Sequence, residues 1–125
     1  MISFTDAAAT LPASDLGRAR KFYEGTLGLE LEEENPAGVF YRAGSGRIFV
    51  YESGFAGTNQ ATAATFLVDD LEAAVRELRE RGVDFEEYDF PGLKTVNGIA
   101  DLGGELSAWC KDTEGNILSV GQRKS

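Results

Sequence analysis

The stretch Thr65-Phe66-Leu67-Val68-Asp69-Asp70-Leu71 decides the fold, because an earlier stretch, Thr10-Leu11-Pro12-Ala13-Ser14-Asp15-Leu16, has the same pattern. Each is an extended run that ends in an aspartate followed by a leucine, and Asp15 and Asp70 lie 55 positions apart (70 − 15). An aspartate at such a point caps a helix, because its carboxylate accepts hydrogen bonds from the amides of the first turn. The repeat therefore predicts two similar modules, each beginning with a strand, an acidic cap and a helix.

The first module is predicted over about residues 4–53. Its helix follows Asp15, presents one apolar face at helical spacing, and ends at Gly25 and Gly28. That face consists of Leu16, Ala19, Phe22 and Tyr23. Strands are expected near residues 6–13, 29–34, 39–42 and 48–52, with a tight turn at residues 43–46 between the last two.

A polar, glycine-containing linker at residues 54–61 separates this module from a second one at about residues 62–122. Asp69 or Asp70 caps the second helix, whose inner face is Leu71, Ala74, Val75 and Leu78 and which ends at Gly82. Strands are expected at residues 62–68, 85–87, 106–111 and 116–120. Residues 88–98 are predicted to form an irregular segment. We therefore predict a single α+β domain over residues 1–125, in which two tandem βαβββ modules form a cup-shaped mixed sheet.

The composition excludes several classes of partner. Twelve basic and 21 acidic residues give a net charge of −9, which repels nucleic acid and anionic membranes. No segment approaches the roughly 20 apolar residues of a membrane span, and residues 1–6 lack the pattern of a signal peptide. The only cysteine, Cys110, cannot form an internal disulfide and fits a reducing compartment, so we expect a cytoplasmic protein.

Several local strings resemble the vicinal oxygen chelate superfamily, which includes glyoxalases, bleomycin-resistance proteins and ring-cleaving dioxygenases. In the first half the strings are Ser14-Asp15-Leu16, Phe22-Tyr23 and Leu27-Gly28-Leu29; in the second they are Val68-Asp69-Asp70-Leu71, Arg81-Gly82-Val83 and residues 108–117. The resemblance covers nearly the whole chain and implies a glyoxalase/bleomycin resistance-like fold and a homodimer. It implies no single function, because the superfamily spans isomerases, dioxygenases, thiol transferases and metal-free drug-binding proteins.

In the enzymes of this superfamily, the resemblance implies a divalent metal held by two cup-facing positions of each module. Here those positions are Ala8, Ala63, Ser119 and either Phe49 or Val50. None is a ligand of the kind that a catalytic metal requires, and the chain contains no histidine. A magnesium or calcium site built from carboxylates alone remains open. We expect no metal and no other cofactor.

Strand alternation predicts the residues that face the cup. The candidate ligand-binding residues are Thr10, Phe49, Tyr51, Thr65, Leu67, Tyr88, Phe90, Ser107 and Trp109. In the other register of the fourth strand, Ile48, Val50 and Glu52 would face the cup instead, and Trp109 has the alternative of packing in the core. An aromatic, hydroxyl-bearing lining suits a flat, largely apolar small molecule.

No catalytic residue is assigned. Cys110 lacks a histidine to activate it and is predicted to be a buried small residue, whereas Glu52 and Lys94 remain alternatives as a base or an anion-binding group. The glutamates at residues 32–34 and 86–87 are predicted to be solvated strand ends. We therefore favour a metal-free protein that binds and sequesters an aromatic or amphipathic antibiotic or metabolite. The alternative is a glyoxalase-like lyase or isomerase, either metal-independent or with an atypical carboxylate-bound metal.

Overall fold

The computed structural model describes residues 2–124, which form two β-sheets and the helices that cover one side of them. The first sheet contains β1 (Ala9–Ala13), β2 (Glu30–Asn35), β3 (Gly38–Ala43) and β4 (Gly46–Glu52) in the order β1-β4-β3-β2. Helix α1 (Leu16–Arg20) continues directly into a π-helical segment, Lys21–Thr26. This wider segment places both Phe22 and Tyr23 in the core.

The second sheet has six strands in the order β5-β10-β9-β8-β7-β6. They are β5 (Thr62–Leu67), β6 (Asp89–Phe90), β7 (Leu93–Val96), β8 (Ile99–Asp101), β9 (Glu105–Lys111) and β10 (Ile117–Arg123), with α2 (Leu71–Glu80) following β5. In each sheet the first strand pairs in parallel with the last, and the other pairings are antiparallel. Within residues 2–124, neither helix is both long and apolar enough to cross a bilayer.

The helix caps agree with the repeat in the sequence. Asp15 Oδ1 accepts a hydrogen bond from the Arg18 amide at 3.0 Å, and Asp70 Oδ1 accepts one from the Ala73 amide at 3.1 Å. Of the two aspartates that the sequence left open, Asp70 is therefore the cap. Two equivalent caps begin two equivalent helices, which confirms the tandem arrangement.

The strand register relates the two modules residue by residue. Phe49 lies between Thr10 and Phe40 in the first sheet, just as Ser119 lies between Thr65 and Trp109 in the second. Phe49 is thus the structural counterpart of Ser119. Because Tyr51 is two residues from Phe49 on the same strand, both lie on the face opposite to the buried Ile48 and Val50.

The helix-covered faces of the two sheets share the larger of two buried clusters, whereas the smaller cluster, beneath α2, contains residues of the second module alone. Leu11 and Val50 from the first sheet lie in the same buried cluster as Ala64 and Leu118 from the second, and β1 lies beside β5. Tyr23, fully buried, donates a hydrogen bond to Asp112 Oδ2 at 2.5 Å and so joins the π-helical segment to the turn between β9 and β10. The modules are therefore packed together rather than merely linked.

Three predictions about secondary structure were wrong. The first strand begins at Ala9 rather than near residue 6, and residues 85–87 contribute only an isolated bridge between Phe85 and Cys110. Residues 88–98, predicted as irregular, contain strands β6 and β7. Gly92, with φ of +85°, allows the tight turn between them, and the Tyr88 amide donates to Thr95 Oγ1 at 2.8 Å.

Candidate functional site

The inner face of each sheet is the face opposite its helix, and in the first sheet that face carries a row of aromatic rings. The rings of Phe40 and Phe49 are 4.4 Å apart between centroids, and those of Phe49 and Tyr51 are 6.1 Å apart and nearly parallel, at 3°. The Arg47 guanidinium lies 4.4 Å from the centroid of the Phe40 ring. The prediction had omitted Phe40, because its place beside Phe49 depends on the pairing of β3 with β4.

Ion pairs border this aromatic row. Glu32 lies 2.7 Å from Arg47 Nε and 2.8 Å from Arg42 Nη2, and Asp6 is 3.5 Å from Arg47. Glu34 also pairs, with Arg20. All residues of β2 are exposed, as predicted for this run of glutamates, and arginines that are distant in sequence pair with Glu32 and Glu34 across the sheet and from α1.

The other predicted glutamate run also has structural partners. Glu87 Oε1 accepts from Thr95 Oγ1 at 2.6 Å and from the Gly98 amide at 2.8 Å. These hydrogen bonds, led by that of Thr95, lower the pKa of Glu87. Glu87 is exposed, as predicted, and its hydrogen bonds anchor the segment that carries β6 and β7.

The inner face of the second sheet combines hydroxyl groups with aromatic rings. Thr65 Oγ1 and Ser119 Oγ are 2.7 Å apart, and the buried Ser107 donates to Glu105 Oε1 at 3.1 Å. The Tyr88 ring meets the Trp109 indole edge-on, with the centroids 5.5 Å apart. Burial, followed by the nearby Glu86 carboxylate, raises the pKa of Tyr88, so its hydroxyl remains a neutral donor at pH 7.

Trp109 is half-buried on the inner face, whereas its neighbour Cys110 is buried on the helix side. This arrangement disagrees with a core position for the indole. On the second sheet, the centroid of the Phe90 ring lies 5.6 Å from that of Tyr88, and Phe90 is 56% exposed. No predicted ligand-binding residue lines the groove beside α2 or the smaller cavity beside Phe22 and Val83. Part of the predicted lining is open to solvent in the single chain: Thr10 and Thr65 are exposed and Leu67 is 54% exposed, whereas Ser107 is buried.

The positions implied for a metal do not fit one. Ala8, Ala63 and Phe49 have no ligating atom, and the single hydroxyl, that of Ser119, is hydrogen-bonded to Thr65. Across residues 2–124, no cluster of three or more Cys, Asp or Glu side chains is arranged to hold an ion. The side chains present at the family's metal positions thus lack the donors that a transition metal prefers.

The remaining reactive candidates lie away from the inner faces. Burial, and then the nearby Asp112 and Glu86 carboxylates, raise the pKa of Cys110 to about 11, so the thiol is protonated at neutral pH. Glu52 has the strand parity of Ile48 and Val50, and it is exposed at the end of β4. Lys94 borders a groove beside α2. The structure does not bring these three groups together.

Comparison with known proteins places this architecture in a family. The model of the Glyoxalase/Bleomycin resistance protein/Dioxygenase superfamily matches residues 6–120. No curated protein matches the chain.

Solved structures share the fold at low sequence identity. The structure of UcmS2 is 16% identical, with a TM-score of 0.76, over 96% of this chain and 98% of that one. TnmS3, an antibiotic binding protein from Streptomyces sp. CB03234, is 20% identical with a TM-score of 0.69, over 99% of each chain. A lactoylglutathione lyase from Agrobacterium tumefaciens is 23% identical with a TM-score of 0.63, over 94% of this chain and 93% of that one.

These similarities confirm the expected α+β fold of glyoxalase/bleomycin-resistance type, with two sheets and few helices. The family-model match extends over both modules and includes both capping aspartates, the inner-face strands and the turn between β9 and β10. The chain therefore belongs to the Glyoxalase/Bleomycin resistance protein/Dioxygenase superfamily.

Proposed function

We propose that this protein is a metal-free member of its superfamily that binds and sequesters a small aromatic or amphipathic molecule in the cytoplasm. The observation that carries the proposal is the ring of Phe49, which occupies a position implied for a metal ligand and packs between Phe40 and Tyr51. An apolar ring there cannot hold an ion, but it offers a stacking surface for a planar ligand.

Two kinds of contact would hold such a ligand. Its flat part stacks on the rings of Phe49 and Tyr51, and its polar groups meet the hydroxyls of Thr65 and Ser119 across the cup. Trp109 and Tyr88 form an aromatic corner beside those hydroxyls. Each well-placed aromatic pair contributes on the order of 1 kcal/mol beyond the area it buries. The similarity in fold to TnmS3, whose name describes antibiotic binding, supports an antibiotic as one class of ligand.

The open inner faces support a homodimer. A ligand held by Phe49 and Trp109 alone would remain largely in contact with water, whereas small-molecule sites generally bury most of the ligand surface. A second copy would supply the missing wall, so we propose that the complete cup contains inner-face residues of both copies. Light scattering after size-exclusion chromatography measures this directly, and a monomeric mass at micromolar concentration would contradict it.

Ligand binding is tested by thermal unfolding with a chemically broad panel of aromatic antibiotics and metabolites. A compound that raises the melting temperature should also change the fluorescence of Trp109, the only tryptophan. Phe49→Ala should abolish the shift by removing the centre of the stacking surface. Phe55→Ala is the matched control, because Phe55 is largely exposed in the linker. The absence of any shift across the panel would contradict the proposal.

The same preparation tests the lyase alternative. Protein purified without chelator is analysed for metals and then assayed with the adduct of methylglyoxal and a thiol, with and without added divalent ions. A binding protein gives neither stoichiometric metal nor turnover. Stoichiometric metal together with turnover would favour the lyase and overturn the proposal.

A further inference from the structure

The second sheet is wider than its helix can cover. It has six strands where the first sheet has four, and α2 packs against β9 and β10. The helix-side face of β7 and β8 consequently extends past α2. A groove of about 990 Å³ lies between that face and the helix, on the side of the sheet opposite to the inner face.

The groove has an apolar floor and charged walls. Val75, Val96, Ile99 and Leu106 provide the apolar surface, and Val96 is 65% exposed. The charged groups that line the groove are Arg76, Arg79, Lys94, Glu72, Glu80 and Asp101. On α2 the lining residues recur at helical spacing, so one stripe of the helix faces the groove.

Among residues 2–124, three of the cations in the groove have no carboxylate within ion-pairing distance. Of the 12 basic side chains, six form ion pairs with carboxylates, namely Arg18, Arg20, Arg42, Arg47, Arg81 and Lys124, which leaves six (12 − 6). Arg76, Arg79 and Lys94 are three of these, and within residues 2–124 no carboxylate lies within ion-pairing distance of them. Of the three carboxylates that line the same groove, Asp101 is neutralised by Lys124, so three cations face two remaining carboxylates, and this small excess of positive charge favours an external anion.

The acidic groups nearby leave two of these cations free for a ligand. Asp101 pairs with Lys124 at 2.6 Å, and Glu72 and Glu80 lie one turn on either side of Arg76 without pairing with it. Arg79 donates to the carbonyl of Asn97 at 2.9 Å and lies over the Phe85 ring at 5.6 Å, which fixes its guanidinium. Arg76 on α2 and Lys94 on β7 therefore remain available, and both line the groove.

We propose that this groove is a second binding site, which takes a small amphipathic anion such as a medium-chain carboxylate. Its acidic head lies between Arg76 and Lys94, and its hydrocarbon part covers Val96, Ile99 and Leu106. The apolar floor would contact the hydrocarbon tail, and the two cations would hydrogen-bond the carboxylate head. Such charge-assisted hydrogen bonds are among the stronger contacts available at a surface. The site shares no residue with the inner faces, so it does not depend on the function proposed above.

Octanoate is the probe, and octanol is its uncharged match. Amide chemical shifts of the isotope-labelled protein are followed up to about 10 mM, enough to approach saturation of a site with a dissociation constant near 1 mM. Octanoate should shift residues 72–80 and 94–101, and octanol should bind about tenfold more weakly or worse. Arg76→Gln with Lys94→Gln should weaken octanoate binding about tenfold.

Lys21→Gln is the control for charge alone, because Lys21 is an exposed, unpaired cation on the other module. It should leave octanoate binding unchanged, as should Phe49→Ala on the inner face. The proposal is overturned if octanoate causes no shifts, if the shifts fall outside the groove, if octanol binds equally well, or if the Arg76 and Lys94 changes have no effect. An effect of Phe49→Ala alone would assign octanoate to the inner face instead.

Discussion

At the scale of single residues, Glu114 is a buried carboxylate that accepts hydrogen bonds from several groups at the start of α1. Its side chain has no exposed surface, and its oxygens accept from Arg18 Nε at 2.7 Å, from the Asp15 amide at 2.9 Å and from Ser14 Oγ at 3.2 Å. These contacts, led by Arg18 and opposed by burial, lower the pKa of Glu114 to about 2. A carboxylate in the turn between β9 and β10 thus holds the start of α1.

Replacing Glu114 by glutamine should destabilise the protein by about 2 to 3 kcal/mol at pH 7, because the buried partners lose their charged acceptor. The folded-state pKa of about 2 lies below the unfolded value of about 4.5, so the stabilisation is present above the unfolded pKa and is lost as the pH falls towards 2. Urea unfolding from pH 7 to pH 3 should therefore show the two proteins converging. Glu30→Gln, at an exposed position, should stay close to the parent throughout; a constant gap for Glu114→Gln would contradict this account.

At the scale of elements, each helix depends on a cap that the repeat in the sequence reveals. Asp70 holds the amide of Ala73 at the start of α2, whereas the adjacent Asp69 is exposed and accepts no side-chain hydrogen bond among the described residues. The two neighbouring aspartates have the same charge beside the same helix end. Substituting each in turn therefore separates capping from the general attraction of a negative charge to the helix dipole.

Asp70→Ala should lower the free energy of unfolding by about 1 kcal/mol, and Asp69→Ala by at most a few tenths. Chemical denaturation monitored by circular dichroism measures both. Equal losses for the two variants would mean that charge, rather than the hydrogen bond to Ala73, stabilises the start of α2.

At the scale of the whole molecule, the shared core should make the two modules unfold together. Leu11, from the first module, is fully buried in the cluster that also contains Leu118 from the second. Trp109 lies in the second module and reports on it by fluorescence. A loss of packing in one module should therefore be visible in the other.

Leu11→Ala should cost about 2 to 4 kcal/mol, from lost burial and the cavity left behind. The unfolding midpoint seen by Trp109 should fall together with that seen by circular dichroism. Leu31→Ala is the control within the same module. Because Leu31 is 39% exposed, this variant should lose far less free energy of unfolding than Leu11→Ala. If the Trp109 midpoint did not move, the modules would unfold independently, and the expectation of a single domain would be wrong.

The sequence alone determined the features that are encoded within a few neighbouring residues. The repeated aspartate caps and the apolar helix faces are local patterns, and they led to a correct expectation of the fold and the family. The absence of histidine is also read from the sequence, and the metal-free protein that it favours stays a prediction. The sequence also shows directly that alanine occupies positions 8 and 63, which the resemblance implies for metal ligands. Such features were predictable because helix and strand periodicities act over short ranges.

The tertiary structure decided which of these local features meet. Phe40 joins Phe49 only through the pairing of β3 with β4, Glu114 reaches Arg18 across 96 positions of sequence, and Lys94 faces α2 only because β7 widens the second sheet. Local patterns do not specify strand register, or side-chain contacts between distant segments, on their own. Both arise when the apolar faces are buried together, and that packing places the aromatic rings on one side of the sheets and the groove beside α2 on the other.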